Sequence, residues 1–225
     1  MIRDRSEAGG KLAARLQHYR DAKPVVLALP RGGVPVGFEI AVALNAPLDL
    51  LFVRKIGVPW QPELAAAAVA EVGGPEMVRN EQVIRLADVP EEYLTEQAAR
   101  ELDEITRRRS LYRGGKPVID VAGRTAIVVD DGIATGATVR AALRALRRAQ
   151  PARIVLAVPV APEETIKELA NEADEICCLE TPANFGAISQ FYKSFRQTSD
   201  EEVIDLLKRA AAAQPSGGTP DPSPR

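Results

Sequence analysis

A four-residue apolar run, Ala126-Ile127-Val128-Val129, stops at two adjacent carboxylates, Asp130 and Asp131. Short, unbroken and rich in β-branched residues, such a run reads as a parallel strand buried on both faces. Behind the acids come Gly132-Ile133-Ala134-Thr135-Gly136-Ala137-Thr138, and then Val139, Leu143 and Leu146 at helical spacing. The order is strand, acidic tip, glycine-containing loop, helix. In an open α/β sheet this junction lies at the carboxyl end of a strand, where ligands bind. The stretch predicts an α/β chain with a doubly wound parallel sheet.

The residue types suit a phosphorylated sugar. Gly132 and Gly136 let the backbone fold close and turn successive N–H groups into one concavity. A helix starting near Thr138 adds its positive end, and Thr135 and Thr138 add hydroxyl donors, which together make a cradle for a monophosphate. Asp130 and Asp131 stand just before it, spaced to accept hydrogen bonds from a diol or to hold a hydrated Mg²⁺. No Gly-Lys-Ser/Thr ending follows, which excludes a nucleoside-triphosphate loop. Without G-x-G-x-x-G the dinucleotide fingerprint fails as well.

The segment Val128-Val129-Asp130-Asp131-Gly132-Ile133-Ala134-Thr135-Gly136-Ala137-Thr138 resembles the signature of the type I phosphoribosyltransferases, which bind 5-phosphoribosyl-1-pyrophosphate (PRPP). One departure is Gly132, where that family usually carries an aliphatic residue. The resemblance implies the type I phosphoribosyltransferase fold with a small hood and flap. It implies transfer of the phosphoribosyl group from Mg²⁺-bound PRPP to a nitrogenous acceptor, with release of pyrophosphate. Asp130 and Asp131 would then hold the ribose hydroxyls and residues 134–138 the 5-phosphate. Gly132 and Ile133 complete the PRPP loop, and Mg²⁺ is held mainly by substrate and water beside the two acids. A second departure is Ala134, where the enzymes for 6-oxopurines carry an aspartate near the base nitrogen. This argues against hypoxanthine and guanine as acceptors. The alternative on the same fold is a non-catalytic regulatory module that senses PRPP or a nucleotide, usually joined to a DNA-binding region; this chain has no helix-turn-helix signal.

Composition removes other chemistries. The 225 residues suffice for one α/β domain, taken as 1–213, and carry a net charge of −2 with 27% charged residues, so no basic field points to nucleic acid. No run of eighteen apolar residues and no basic-then-apolar start occurs, so no membrane partner and a cytoplasmic location are expected. The single His18 leaves histidine-based hydrolysis without its base. Adjacent Cys177 and Cys178 lie in an apolar run, point to opposite strand faces and read as buried reduced thiols.

Along the chain, residues 4–20 form an amphipathic helix and Val25 to Leu29 the first buried strand. Pro30-Arg31-Gly32-Gly33-Val34-Pro35 follows, before a helix over about 36–44. This second strand–glycine–helix junction, with a guanidinium and exposed amides, outlines a pyrophosphate site and resembles the pyrophosphate loop of the same family. Relatives often place a non-proline cis peptide there, matched here by Pro30–Arg31. A strand over 48–53 ends in Arg54-Lys55, two cations at a third carboxyl edge that could meet the same pyrophosphate. From 56 to 116 the rhythm breaks into a turn-rich loop at 57–63, short strands near 67–72 and 77–79, and a helix over about 90–111. In the family this interval, with 181–206, forms a hood and flap. Glu63 is a candidate acid–base group there, and Trp60 a cap on a surface pocket. Arg113, beside Gly114-Gly115, is a candidate phosphate contact within a basic helix end. Strands over 153–160 and 175–179 flank a helix over 163–171. Phe185 then follows the last strand, where an acceptor base could stack. Ser199-Asp200-Glu201-Glu202 caps a final helix, and 214–225 reads as a disordered tail. The acceptor and the oligomeric state, a homodimer among the options, are left open.

Overall fold

Residues 1–72, 74–115 and 117–214 are described by the structure, a computed structural model. Gly73, Lys116 and the expected tail beyond Gln214 lie outside them. The chain begins with α1 (Arg5–Arg15), β1 (Val25–Ala28), α2 (Gly33–Leu44) and β2 (Leu48–Leu50). It continues through β3 (Phe52–Val58), β4 (Gln61–Glu71), β5 (Pro75–Arg79), α3 (Glu81–Leu86) and α4 (Glu91–Arg113). The last elements are β6 (Thr125–Val129), α5 (Ala137–Arg148), β7 (Arg153–Val160), α6 (Glu163–Leu169), β8 (Glu175–Glu180) and α7 (Asp200–Ala212).

Five strands form a sheet in the order β2-β1-β6-β7-β8, every neighbour parallel. The chain leaves β1 toward β2 on one side and leaves β6 toward β7 on the other, so the winding reverses between β1 and β6. The carboxyl ends of these two strands flank the crevice where such sheets bind ligands. Helices α1, α2 and α7 close one face, with Leu12, Ile40, Leu44 and Val203 against Val26, Ile127 and Val155. Helix α5 closes the other, with Val139, Leu143 and Leu146 against Val25, Val128 and Leu156. Coverage of both faces explains why every residue of β6 is buried. It also separates the two thiols as expected, Cys177 packing on the first face and Cys178 on the second. Both are half-buried rather than buried, because β8 is the sheet edge.

Strands β3-β4-β5 form a separate antiparallel sheet, the hood, and here two expectations fail. The run 48–53 is not one strand. After Leu51 donates its N–H to Ala28 (3.0 Å), the chain leaves the parallel sheet and starts β3 in the hood. Leu51 is buried all the same, so nothing in the hydropathy marks the handover. The turn-rich segment 57–63 is instead a tight hairpin, turning at Pro59-Trp60. Gly57 is required there, since a Cβ on it would stand 2.6 Å from Pro62 Cα across the ribbon. Pro62 is tolerated because β5 pairs only with Ala67–Glu71 of β4, leaving its other edge unpaired.

The hood is fastened to the sheet by buried charge. Asp49 of β2 accepts from Arg113 Nε (2.8 Å), Leu50 N (2.8 Å) and Ile119 N (3.1 Å). Arg113 also donates to the Leu50 carbonyl (2.8 Å), and its Nη1 faces Glu71 of β4 at 4.0 Å. Glu71 takes a further ion pair from Arg109. Arg113 is therefore a structural residue and not the phosphate contact its position beside Gly114 had implied. Removing one partner of a buried pair strands the other, at a cost of about 3–5 kcal/mol. Urea unfolding of Arg113→Ala should show a loss of this size, whereas Arg100→Ala, which removes an exposed pair with Glu96 on the same helix, should cost less than ~1 kcal/mol.

Candidate functional site

The β1 and β6 junctions meet. Leu29 N donates to the Val129 carbonyl (2.9 Å), so the two strands stay stitched to their last residues. From there Gly33 N returns to Leu29 O (3.0 Å) and Val34 N to Arg31 O (3.1 Å), turning the chain into α2. That helix starts at Gly33, three residues before the expected Val36, and Pro35 sits in its first turn where a missing N–H costs no bond. The Pro30–Arg31 bond is cis, as the resemblance implied. A Cβ on Gly32 would fall inside the Asp131 carboxylate, and one on Gly33 would stand 2.6 Å from the Val129 oxygen. Only glycine lets the loops approach this closely.

The two acids, equivalent in the sequence, have different surroundings. Asp131 is buried, and its Oδ2 accepts from Arg5 Nε (2.8 Å) and Nη2 (2.6 Å). The Arg5 guanidinium lies 4.0 Å from the centroid of the Phe195 ring and donates Nη1 to the Arg196 carbonyl (2.7 Å). The Tyr192 hydroxyl donates to the Asp131 carbonyl (2.7 Å), and burial, then the Asp131 charge, push that phenol up. The first residues of the chain are sewn to the same segment by Ile2 N to Phe191 O and Lys193 N to Ile2 O, both 2.8 Å. Asp130 has no cation of its own among the described residues and accepts from the Asp131 N–H (2.8 Å). Burial, and then the charge of Asp131, push its carboxyl well above the usual carboxylate range.

Beyond the acids, Ile133 N donates to the Val160 carbonyl (2.9 Å). Thr165 of α6 donates to the Ala134 carbonyl (2.9 Å), and its methyl stands 2.8 Å from where a Gly136 Cβ would be. At φ +72° Gly136 reverses the chain into α5, as the loop's spacing required. Ala134, Thr135 and Thr138 are exposed and Ala137 is half-buried, which leaves the face of the loop open.

A cavity of about 110 Å³ opens between the junctions and the hood, walled by Pro30, Arg54, Ile105, Arg108, Asp130 and Thr138. Arg31 extends to Asp200, at the start of α7, with Nη1 3.4 Å from Oδ1; the same oxygen accepts from the Tyr112 hydroxyl (2.5 Å). Arg54 and Lys55 lie within β3 rather than at a carboxyl edge, and successive strand residues face opposite ways. Arg54 faces the cavity; Lys55 lines a separate pocket against Arg140 and Arg144 of α5 and pairs with Glu63 (3.0 Å). The Glu63 side chain is 91% exposed, and β4 supplies no described wall of the cavity. Trp60 is exposed at the hairpin turn. Phe185 stacks on Phe191 (5.4 Å between centroids, 21°) and borders a separate groove with Pro162, Glu163 and Pro182. Arg5 and Thr165 carry no local signal in the sequence, while Arg108 in a basic helix end, Tyr192 in the aromatic cluster Phe191-Tyr192-Phe195 and Asp200 in a helix cap read there as structural. Each lies far from the signature in the chain.

The environment of Asp130 has a consequence for stability. A carboxyl whose folded pKa is raised contributes stability below its ordinary value of 3.8 and loses that contribution as the pH rises through the folded value. Asp130→Asn, which keeps the shape without the charge, should melt at a higher temperature than the parent at pH 8. The gap should close by pH 4. Thermal unfolding of both proteins across that range measures it, and a gap independent of pH would contradict the assigned environment.

A family model described as "Phosphoribosyl transferase domain" matches residues 4–195. Two Mycobacterium tuberculosis proteins, "Putative phosphoribosyl transferase MT0597" (strain CDC 1551 / Oshkosh) and "Putative phosphoribosyl transferase Rv0571c" (strain ATCC 25618 / H37Rv), are each 47% identical over 207 residues. Those alignments take in 92% of this chain and 46% of each relative, so the chain spans about half the length of the curated relatives it matches. The crystal structure of TT1426 from Thermus thermophilus superposes with a TM-score of 0.83 at 40% identity, over 93% of this chain and 98% of that one. With its parallel sheet, its paired junctions and these relatives, the chain belongs to the phosphoribosyl transferase domain family.

Proposed function

We propose that this chain transfers the phosphoribosyl group of PRPP to a nitrogenous acceptor and releases pyrophosphate. The observation that carries this is the convergence of two glycine junctions in one switch-point crevice, one bearing an acid and an open anion loop, the other a guanidinium. The amides and hydroxyls of 134–138, a loop exposed at Ala134, Thr135 and Thr138, receive the 5-phosphate. Asp130, the signature carboxylate without a cation, accepts from the ribose hydroxyls, while Asp131 is spent on Arg5 and orients the loop. Arg31, Gly32 and Gly33 receive the pyrophosphate together with Arg54; Lys55 faces away. Displacement at the anomeric carbon passes through an oxocarbenium-like transition state. The protein's part is thus to hold the donor in line and to meet the developing charges with fixed groups.

The residues fit a Mg²⁺ that arrives with the substrate. Among the described residues no group of three His, Cys, Asp or Glu side chains forms a cage, and Asp130 alone of the acid pair is not held by a guanidinium. Mg²⁺ commonly keeps several waters and shares one or two carboxylates with substrate phosphates. Bound so, it would neutralise charge on the departing pyrophosphate.

Ligand binding to the folded state alone raises apparent stability by ~2.7 kcal/mol at a hundredfold excess over the dissociation constant. Millimolar PRPP with Mg²⁺ should therefore raise the melting temperature, and a titration without any rise would remove the basis of the assignment. Ala134 places a methyl group where a proton acceptor for 6-oxopurines would be needed. In a pyrophosphate-release assay over a panel of bases, hypoxanthine and guanine should be among the slowest acceptors. Fastest turnover with either would refute the argument from Ala134.

A further inference from the structure

Helix α4 brings a cation to the crevice that no motif announces. Arg107, Arg108 and Arg109 are a run of three in the sequence, yet the helix sends them to three destinations. Arg109 pairs with buried Glu71, Arg107 lies over the solvent side against Glu104, and Arg108 lines the cavity together with Asp130 and Thr138. Arg54 lines the same cavity from β3.

Both cavity guanidinia are held in the same way. Arg54 gives its Nε to Glu101 (2.6 Å) and Arg108 gives its Nε to Glu104 (2.6 Å), both carboxylates belonging to α4. In each case the terminal nitrogens have no hydrogen-bond partner among the described residues. A guanidinium tethered through Nε is oriented while its remaining donors stay available, which suits a multi-oxygen anion. The β1 junction lies on the same side. Asp200 is held below the usual carboxylate range by the Tyr112 hydroxyl, and beyond that by Arg31 and Arg108, so those two guanidinia share one neighbourhood.

We propose that Arg108, with Arg54, completes the pyrophosphate subsite, so that helix α4 and strand β3 supply guanidinia to the diphosphate beside those of the β1 junction. This rests on the transfer reading above and deepens it. Two guanidinia from the hood and a guanidinium with glycine amides from the β1 junction offer more donors than one phosphate can use. A diphosphate has the oxygens to engage both.

Titration calorimetry of the full chain with Mg²⁺-pyrophosphate tests this on the parent, Arg108→Gln and Arg107→Gln. Both variants lose a bond to Glu104, but only one removes a cavity residue. Arg108→Gln should weaken pyrophosphate by ~10-fold or more, the loss expected for charged hydrogen bonds. Arg107→Gln should stay within ~2-fold, as for an exposed pair. Ribose 5-phosphate, which lacks the diphosphate, should bind parent and Arg108→Gln alike. Equal losses in both variants, no loss in either, an equal loss for ribose 5-phosphate, or no pyrophosphate binding by the parent at millimolar concentration would each overturn the proposal. Failure of the transfer reading looks different. A parent that binds pyrophosphate with this dependence on Arg108, but releases none from PRPP with any base, keeps the anion site and loses the reaction.

Discussion

The contact between Gly32 and the Asp131 carboxylate sets the geometry of the crevice. Strands β1 and β6 are paired to their ends, Ala28 beside Val129, and Leu29 still bonds to Val129. The loops that follow have no room to diverge before they turn into helices. A side chain at either 32 or 33 would displace the acid tip or the last carbonyl of β6. Because these glycines are spent on clearance, Pro30 of the first loop and the carboxylate at 130 of the second come to one opening. The two glycine loops are thus a single unit, held by ladder hydrogen bonds rather than by flexible side chains.

What the sequence made legible follows from how local each signal is. Strands β6 and β7, helix α5 and the Ser199 cap were readable because burial on both faces, helical period and cap chemistry are written in consecutive residues. The handover at Leu51 was not readable, since a residue passing from one buried sheet to another stays apolar throughout. The same holds for Arg54 and Lys55. Their identity marks them as cations near a strand end, but only the direction of β3 sends one to the cavity and the other to α5. Arg113 looked like a ligand contact beside two glycines because nothing local reveals that its carboxylates arrive from β2 and β4.

The acid pair shows how tertiary contacts divide residues that a motif treats as one. Arg5 reaches Asp131 from 126 positions away, and the Phe195 ring beneath it completes the arrangement. Taking the second carboxylate into an ion pair leaves the first as the lone acid of the opening, with a burden of burial and like charge that favours its protonated form. Stability is conceded at Asp130 wherever it ionises, and local rules are often broken in this way where a fold keeps a polar group open to a crevice. The departure at Gly132 has a matching account. A Cβ there would meet Ile188 at 2.6 Å, so an aliphatic group from the segment after β8 occupies the space next to the loop.

Helix α4 joins these two kinds of charge, and its period explains how. Arg109 and Arg113 are four residues apart and share a face, which is turned to Glu71 and Asp49 in the body of the protein. Arg108 is one position off that face and meets the cavity. Rotating or sliding the helix would bring Arg108 away from the opening only by breaking the Arg113 bond to Asp49, a carboxylate itself fixed by Leu50 N and Ile119 N. Such a pair adds little net stability over an apolar packing of similar volume, since both charges must be stripped of water. Its directional bonds instead fix the register of a long helix against the sheet, which packing of Leu94, Ala98 and Ile105 alone would specify less sharply. The hood is in this way indexed to the strands whose ends carry the site, and the cavity between them inherits its dimensions from a buried arginine that never touches it.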